Sequence, residues 1–226
     1  MKHALALLLS LPALFLPMFL FGSCSQPRRE LPAAGDVEVQ RLVIDTRLPA
    51  EFAAGHSTGA LNLQWDWDQL GARVEAYVPD KDRPLALRAT NAEEAALAAG
   101  LLAERGYTDV TLPVEGEDIA TLETMSAGDL AAAMKAGTDL VILDVREPWE
   151  HLVRTIPGAR LLDPDEAPSV LAELDPNVHY AVICEGGYRS SQMASWMQRA
   201  GLKATNVIDG MAGWRALPAE ELPSGD

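Results

Sequence analysis

The chain has 226 residues, with 18 basic against 33 acidic side chains, a formal net charge of -15 and two cysteines. So acidic a protein is a poor partner for nucleic acid, and charge spread along the sequence reads as a solvated surface. Cys24, in a leader, and Cys184, alone in the body, are too few for a disulfide framework.

Lys2 and His3 precede an apolar run from Ala4 to Phe21, and small residues follow up to Cys24. This is the layout of a secretory signal. Phe21-Gly22-Ser23-Cys24 resembles a bacterial lipobox, which implies cleavage after residue 23 and lipid on Cys24. It also implies an exported, membrane-anchored protein on the periplasmic or cell-surface side. An ordinary cleaved signal and a retained anchor are the alternatives, although Pro12 and Pro17 interrupt the run as a spanning helix. Loss of residues 1–23 removes only one basic group, Lys2, and moves the formal charge to -16. Residues 24–38 are rich in Pro, Gly, Ala and charge and read as a tether.

One pattern is then written twice. "LVIDTRLPAEFAAGHSTGALNL" begins at Leu42 and "VILDVREPWEHLVRTIPGARLL" at Val141. At an offset of 99, Asp45 matches Asp144, Arg47 matches Arg146, Pro49 matches Pro148, Glu51 matches Glu150, and Gly59-Ala60 match Gly158-Ala159. We read a duplicated domain, residues 39–120 and 121–226. In each copy a short apolar run ends at an Asp (42–44, 141–143), and a second run (84–87, 180–183) leads through a loop into a helix (93–105, 190–200). Gly106 or Gly201 stops that helix, and a third run follows (109–112, 206–208). Strands alternating with helices predict α/β domains, each a parallel sheet flanked by helices, with sites at the carboxyl ends of strands.

Cys184 stands at such an end, in "CEGGYRSS". A strand–loop–helix junction offers backbone N–H groups without intrahelical partners, and these together with the helix dipole stabilise an anion at the sulfur. Gly186 and Gly187 let the loop curl, Ser190 suits the helix N-cap and Arg189 places positive charge at the rim. The simpler reading, a small buried hydrophobe, does not explain those residues occurring together. Asp144, Arg146 and Glu150 recur in both copies and read as structural ion pairing near the site; His151 replaces Phe52 and reads as packing. Trp65 and Trp67 read as partly buried aromatics, with a contact surface as the alternative.

"LDVREPWE", "IPGA", "VICEGGYRSS" and "NVIDGMAGW" in copy two, and "IDTRLPAEFAAGHSTGALN" in copy one, resemble the rhodanese homology domain. Copy one keeps the family's Gly-His as Gly55-His56, and copy two keeps its Ile-Pro as Ile156-Pro157. The resemblance implies a sulfurtransferase in which Cys184 is catalytic and Glu185, Gly186, Gly187, Tyr188, Arg189 and Ser190 form the substrate-binding loop. The four residues between Cys184 and Arg189 resemble sulfurtransferases rather than the related phosphatases, which have five. The implied partners are a small sulfur donor and a thiol or cyanide acceptor, with a protein thiol as a further acceptor; no metal or organic cofactor is implied. A non-catalytic binding or redox-sensing module is the alternative. Copy one reads "LRATNAEEAA" at the matching loop, with Arg88 or Ala89 opposite Cys184 and Glu93 or Glu94 opposite Arg189, so it is expected to be catalytically silent. Glu185 offsets Arg189, from which thiosulfate, a dianion, is expected to be a poor donor.

Overall fold

A computed structural model describes residues 41–112, 119–163 and 170–223; the leader, Cys24 and the tether lie outside them. Copy one runs β1 (Leu42–Asp45), α1 (Pro49–Ala54), β2 (His56–Ser57), β3 (Leu61–Asn62), α2 (Leu70–Tyr77), β4 (Leu85–Arg88), α3 (Ala92–Glu104) and β5 (Val110–Thr111). After β6 (Ile119–Ala120), copy two runs β7 (Glu123–Met125), α4 (Ala127–Lys135), β8 (Val141–Asp144), α5 (Pro148–Val153) and β9 (Arg160–Leu161). It continues with β10 (His179–Ile183), α6 (Tyr188–Arg199), β11 (Lys203–Val207) and α7 (Gly210–Ala216). The strands of copy one order as β3-β1-β4-β5 and those of copy two as β7-β11-β10-β8-β9, every pair within each sheet parallel. The expected α/β architecture, two parallel sheets flanked by helices, is therefore observed. Among the described residues no helix is long and apolar enough to cross a membrane.

The apolar runs are strands because both of their faces are covered. On β10, Ala181 and Ile183 point into a core with Leu130, Ile142, Val207 and Trp214. Tyr180 and Val182 point the other way, into a core that also takes Val43, Phe52, Ala60 and Ala86 from copy one. Strand periodicity continues one residue further and puts Cys184 on that second side, facing the other copy. Copy one keeps a separate core of its own around Ile44, Leu63, Leu85, Leu87 and Leu102.

The seam between the copies is polar as well as apolar, and α6 forms most of it. Ser191 donates to Asn62 Oδ1 at 2.6 Å, and the Asn62 N–H donates to Ser195 Oγ at 3.0 Å. Asn62 Nδ2 in turn holds the Asp45 and Arg47 carbonyls at 3.2 and 2.9 Å. Buried His56 stacks on Phe52 with ring centroids 3.7 Å apart, and its Nε2 lies 3.2 Å from Gln198 Oε1. The pair β2–β6 is antiparallel, which stitches the segment between the copies onto copy one.

Candidate functional site

The reactive loop is shaped from behind by α7. The Cys184 carbonyl accepts the Met211 N–H at 2.8 Å and the Glu185 carbonyl accepts the Ala212 N–H at 3.0 Å, so the first turn of α7 caps the loop with donors it would otherwise leave unpaired. Gly210 (φ +57°) allows this approach, because a Cβ there would sit 2.5 Å from the Cys184 carbonyl oxygen. Gly187 (φ +87°) is tighter still: a Cβ would stand 2.0 Å from the Ile208 carbonyl oxygen. Asn206 Nδ2 donates to the Gly187 carbonyl at 3.2 Å. The segment "NVIDG" is thus the back wall of the loop.

Two expectations for the loop are corrected. Ser190 is not the N-cap; Gly187 takes that position in the left-handed region with no side-chain cap, and α6 begins at Tyr188. Ser190 falls on the first turn, buried, and its hydroxyl donates to Cys184 Sγ at 3.3 Å. Gly186 is not demanded by backbone strain, since its φ is not positive and a Cβ would meet only the Tyr188 ring at 3.9 Å.

The charged side chains are all engaged. Arg189 donates through both terminal nitrogens to Glu150, at 2.5 and 2.9 Å, in the fork geometry that guanidinium and carboxylate share. Glu150 also accepts the Glu147 N–H at 3.0 Å, closing the start of α5, and Arg189 holds its carboxyl below the usual range. Glu185 is paired with Arg215 across the α7 face, one contact being 3.0 Å, and this cation lowers its pKa. The premise that Glu185 stands against Arg189 is therefore corrected: each has its own opposite charge, supplied by α7 and α5.

Asp144 and Arg146 are buried, with Arg146 Nε and Nη2 donating to the two carboxylate oxygens at 2.9 and 2.7 Å and Nη2 also to the Arg154 carbonyl at 2.6 Å. Copy one repeats this geometry, with Arg47 on Asp45 at 2.9 and 2.6 Å and on the Gly55 carbonyl at 2.8 Å. Gly55 and Arg154 are themselves separated by the offset of 99. In both copies the pair ties the strand end to the end of the following short helix. His151 Nδ1 adds a contact to Asp144 Oδ2 at 3.0 Å that Phe52 has no means to make.

Cys184 is 1% exposed, yet it lines a cavity of about 700 Å³ between the copies. Tyr188 and Arg189 line it from copy two, and Trp65, Gln69 and Arg73 from copy one. Arg73 is fixed by Asp66 at 3.1 Å and by Gln69 Oε1 at 3.0 Å. Glu185 and Gly186 also reach this cavity, whereas Gly187 and Ser190 shape it from beneath. Sequence reasoning leaves α2 unassigned and prefers partial burial to a contact surface for Trp65 and Trp67; Trp65 is half-buried yet lines the cleft, and Trp67 is exposed. Trp65 and Trp67 meet edge to face, centroids 6.4 Å apart, just before that helix, and the paired tryptophans of "QWDWDQ" were the available signal.

A cysteine at a parallel strand's end, a loop curling over a helix N-terminus and the same scaffold repeated 99 residues earlier agree with comparison to known proteins. The description "Rhodanese-like domain" matches twice, over residues 30–116 and 126–217, together most of the chain. The protein belongs to the rhodanese-like domain family. Among similar proteins, "Putative sulfurtransferase YtwF" of Bacillus subtilis is 30% identical over 93 residues, 41% of this chain and 90% of that one. A rhodanese-like domain protein of Staphylococcus aureus is 28% identical, covering 46% of this chain and all of that one, with a TM-score of 0.40. A thiosulfate sulfurtransferase of Pseudomonas aeruginosa is 25% identical, covering 77% of this chain and 38% of that one, with a TM-score of 0.37.

The register of the two rhodanese-like sheets resolves the loop alignment left open by the sequence. Asp45 pairs with Arg88 on β4 as Asp144 pairs with Ile183 on β10, so Ala89 stands opposite Cys184. The N-cap of α3 is Asn91, two residues past Ala89, whereas Gly187 is three past Cys184. The rhodanese-like loop of copy one is thus one residue shorter. Counted from the caps, Glu93 matches Arg189 and Glu94 matches Ser190. Glu94 accepts from Thr46 Oγ1 at 2.6 Å, so the residue matching Ser190 turns to the strand end of its own copy.

Proposed function

We propose that the protein is a sulfurtransferase working through a persulfide on Cys184, with copy one catalytically silent. The Cys184 thiolate attacks the outer sulfur of a donor such as thiosulfate; a Cys–S–S bond forms, the donor's S–S bond breaks, and sulfite leaves with the electron pair. An acceptor thiolate then attacks the outer sulfur of the persulfide, carries it away as R–S–S⁻ and returns Cys184 as thiolate. No net oxidant or metal is required. The observation that carries this reading is the placement of a free sulfur under a hydroxyl donor, in a loop that α7 and Gly187 hold in one shape, at the base of a cleft. Ser190 serves the anion by donating to Sγ, and Arg189, locked on Glu150, keeps its charge beside the entrance. A cleft of about 700 Å³ walled by Trp65 and Tyr188 is much larger than thiosulfate. It favours a persulfide or thiol with an organic body. The preference against thiosulfate therefore rests on the size and aromatic walls of the cleft, since Glu185 is neutralised by Arg215.

Intact mass after incubation with thiosulfate or 3-mercaptopyruvate tests the mechanism. One sulfur atom should be added to the wild type, and none to Cys184→Ser. No gain with any donor, or an equal gain in the variant, refutes it. We further propose that Cys24 carries lipid and tethers the two domains to the outer face of a membrane; the order of charge, apolar run and small residues supports this. Metabolic labelling with a fatty-acid probe should mark the wild type and leave Cys24→Ala unmarked.

A further inference from the structure

The far end of α6 forms a second cavity between the copies, of about 450 Å³. It lies about 15 Å along the helix from the loop end, at 1.5 Å per residue. Two guanidinium groups line it, Arg83 from the turn before β4 and Arg199 from the last residue of α6. Arg199 Nη1 donates to the Gly59 carbonyl of copy one at 2.7 Å, which fixes its direction. Arg83 Nε is buried and has no hydrogen-bond partner.

Most of the described arginines are ion-paired; besides the exposed Arg154 and Arg160, Arg83 and Arg199 are not. Arg41, Arg47, Arg73, Arg105, Arg146, Arg189 and Arg215 each face a carboxylate, as expected where acidic residues outnumber basic ones. Among the described residues, Arg83 and Arg199 make no ion pair, although Asp80 lines the same cavity and there accepts the Asp82 N–H at 3.1 Å. Burial, and after it the charge of Arg83, pulls the Arg199 guanidinium below its ordinary value. Arg199 as a whole residue is exposed and Arg83 half-buried, so water screens their mutual repulsion, and what a ligand would satisfy is the buried, unpaired Arg83 Nε beside a second guanidinium. The remaining walls mix Thr58 and the Asp80 carboxylate with the apolar Leu42, Leu61 and Val78, and Trp196 stands edge to face on Tyr77 with centroids 4.6 Å apart.

We propose that this cavity binds an oxyanion carried on a flat aromatic body, an aryl phosphate or aryl carboxylate in class. Arg83 and Arg199 take the head as paired forks, and Trp196 and Tyr77 take the body. The volume falls within the range of small-molecule sites. The ligand touches both copies, so it stabilises their docking at the end of the seam away from the Cys184 cleft.

Phenyl phosphate is a suitable probe, with inorganic phosphate and phenol as its two halves, followed by calorimetric titration and by the thermal midpoint of the full chain. Phenyl phosphate should bind at least about 10-fold more tightly than either half, and Arg83→Gln or Arg199→Gln should each weaken it by about 10-fold or more. Arg199→Lys, which keeps the charge and loses the fork, should fall between. The midpoint of the wild type should rise with phenyl phosphate and that of both Gln variants should not. Absence of saturable binding at millimolar phenyl phosphate would overturn the proposal, as would unchanged affinity in Arg83→Gln and Arg199→Gln. Loss of binding in Arg189→Gln alone would also overturn it, since the anion would then lie in the cysteine loop.

Discussion

The two strand–loop–helix junctions share their place in the fold and differ at every matched residue of the loop and in what they hold. Both begin where a strand pairs with the Asp of an Asp–Arg pair, and both run into a helix that packs on its own sheet. In copy two the three residues from Cys184 to Gly186, then a left-handed glycine, open a cradle around a sulfur. In copy one Ala89 and Thr90 lead directly to Asn91, whose side chain accepts the Glu94 N–H at 2.9 Å and ends the loop as an ordinary helix cap. One residue of loop length, the exchange of a glycine cap for an asparagine cap, and the replacement of Cys184, Arg189 and Ser190 by Ala89, Glu93 and Glu94 separate the two turns.

The comparison is broken most severely at the nucleophile. Cys184→Ser should reduce sulfur transfer to background in a thiocyanate assay, because a hydroxyl forms no persulfide, while Ala89→Cys should create no second active centre because its loop is short. Turnover in the first variant would refute Cys184 as the nucleophile, and one added sulfur at residue 89 in the second would show that loop shape does not matter.

Next in size is the glycine that sets that shape. Gly187→Ala places a methyl against the Ile208 carbonyl in a backbone region closed to most residues, and should cost about 3 kcal/mol or more of stability. Gly186→Ala, whose Cβ would make only an ordinary contact with the Tyr188 ring at 3.9 Å, should cost less than about 1 kcal/mol. Urea denaturation of the two variants side by side measures the contrast.

Ser190→Ala sharpens the comparison without reshaping the loop. Removal of the hydroxyl that meets Sγ should slow sulfur loading by about 10-fold, the equivalent of about 1.4 kcal/mol, while the thermal midpoint changes little. Single-turnover mass spectrometry separates the loading step from transfer to the acceptor.

The smallest effect is a pH dependence seated in copy one. Burial holds the His56 imidazole below its ordinary value, even though the Phe52 carbonyl and Gln198 act in the other direction. The unfolded chain therefore takes up the proton first, and stability should fall as pH drops below about 6.5, the ordinary histidine value. His56→Gln should flatten that part of a thermal-midpoint profile. An unchanged slope would assign the acid sensitivity to carboxylates such as Asp144 and Glu150, whose values are lowered in the folded protein.

Much of this was legible in the sequence because it is local or repeated. The duplication exposed the Asp–Arg pairs, since charged residues at a constant offset survive only where the same bonds recur. The strand ends, the helix stops at Gly106 and Gly201, and the special loop around Cys184 follow from short-range rules of period and cap. What remained hidden depends on distant partners. Nothing near Glu185 in the chain names Arg215 as its counterion, and nothing near Arg189 names Glu150. Ser190 fits an N-cap by composition, and only the left-handed Gly187 moves the cap three residues earlier. The wall of the cleft made by Trp65 and α2 exists only once the copies are docked.

The parity of β10 has one more consequence. Cys184 shares a side with Tyr180 and Val182, so the nucleophile faces the partner copy, and the helix that carries its loop is also the seam. In copy one, Asn62 and His56 therefore answer to a helix more than a hundred residues away. The first repeat serves the second as a mould, and a gene shortened to the second repeat would lose a wall of the Cys184 cleft.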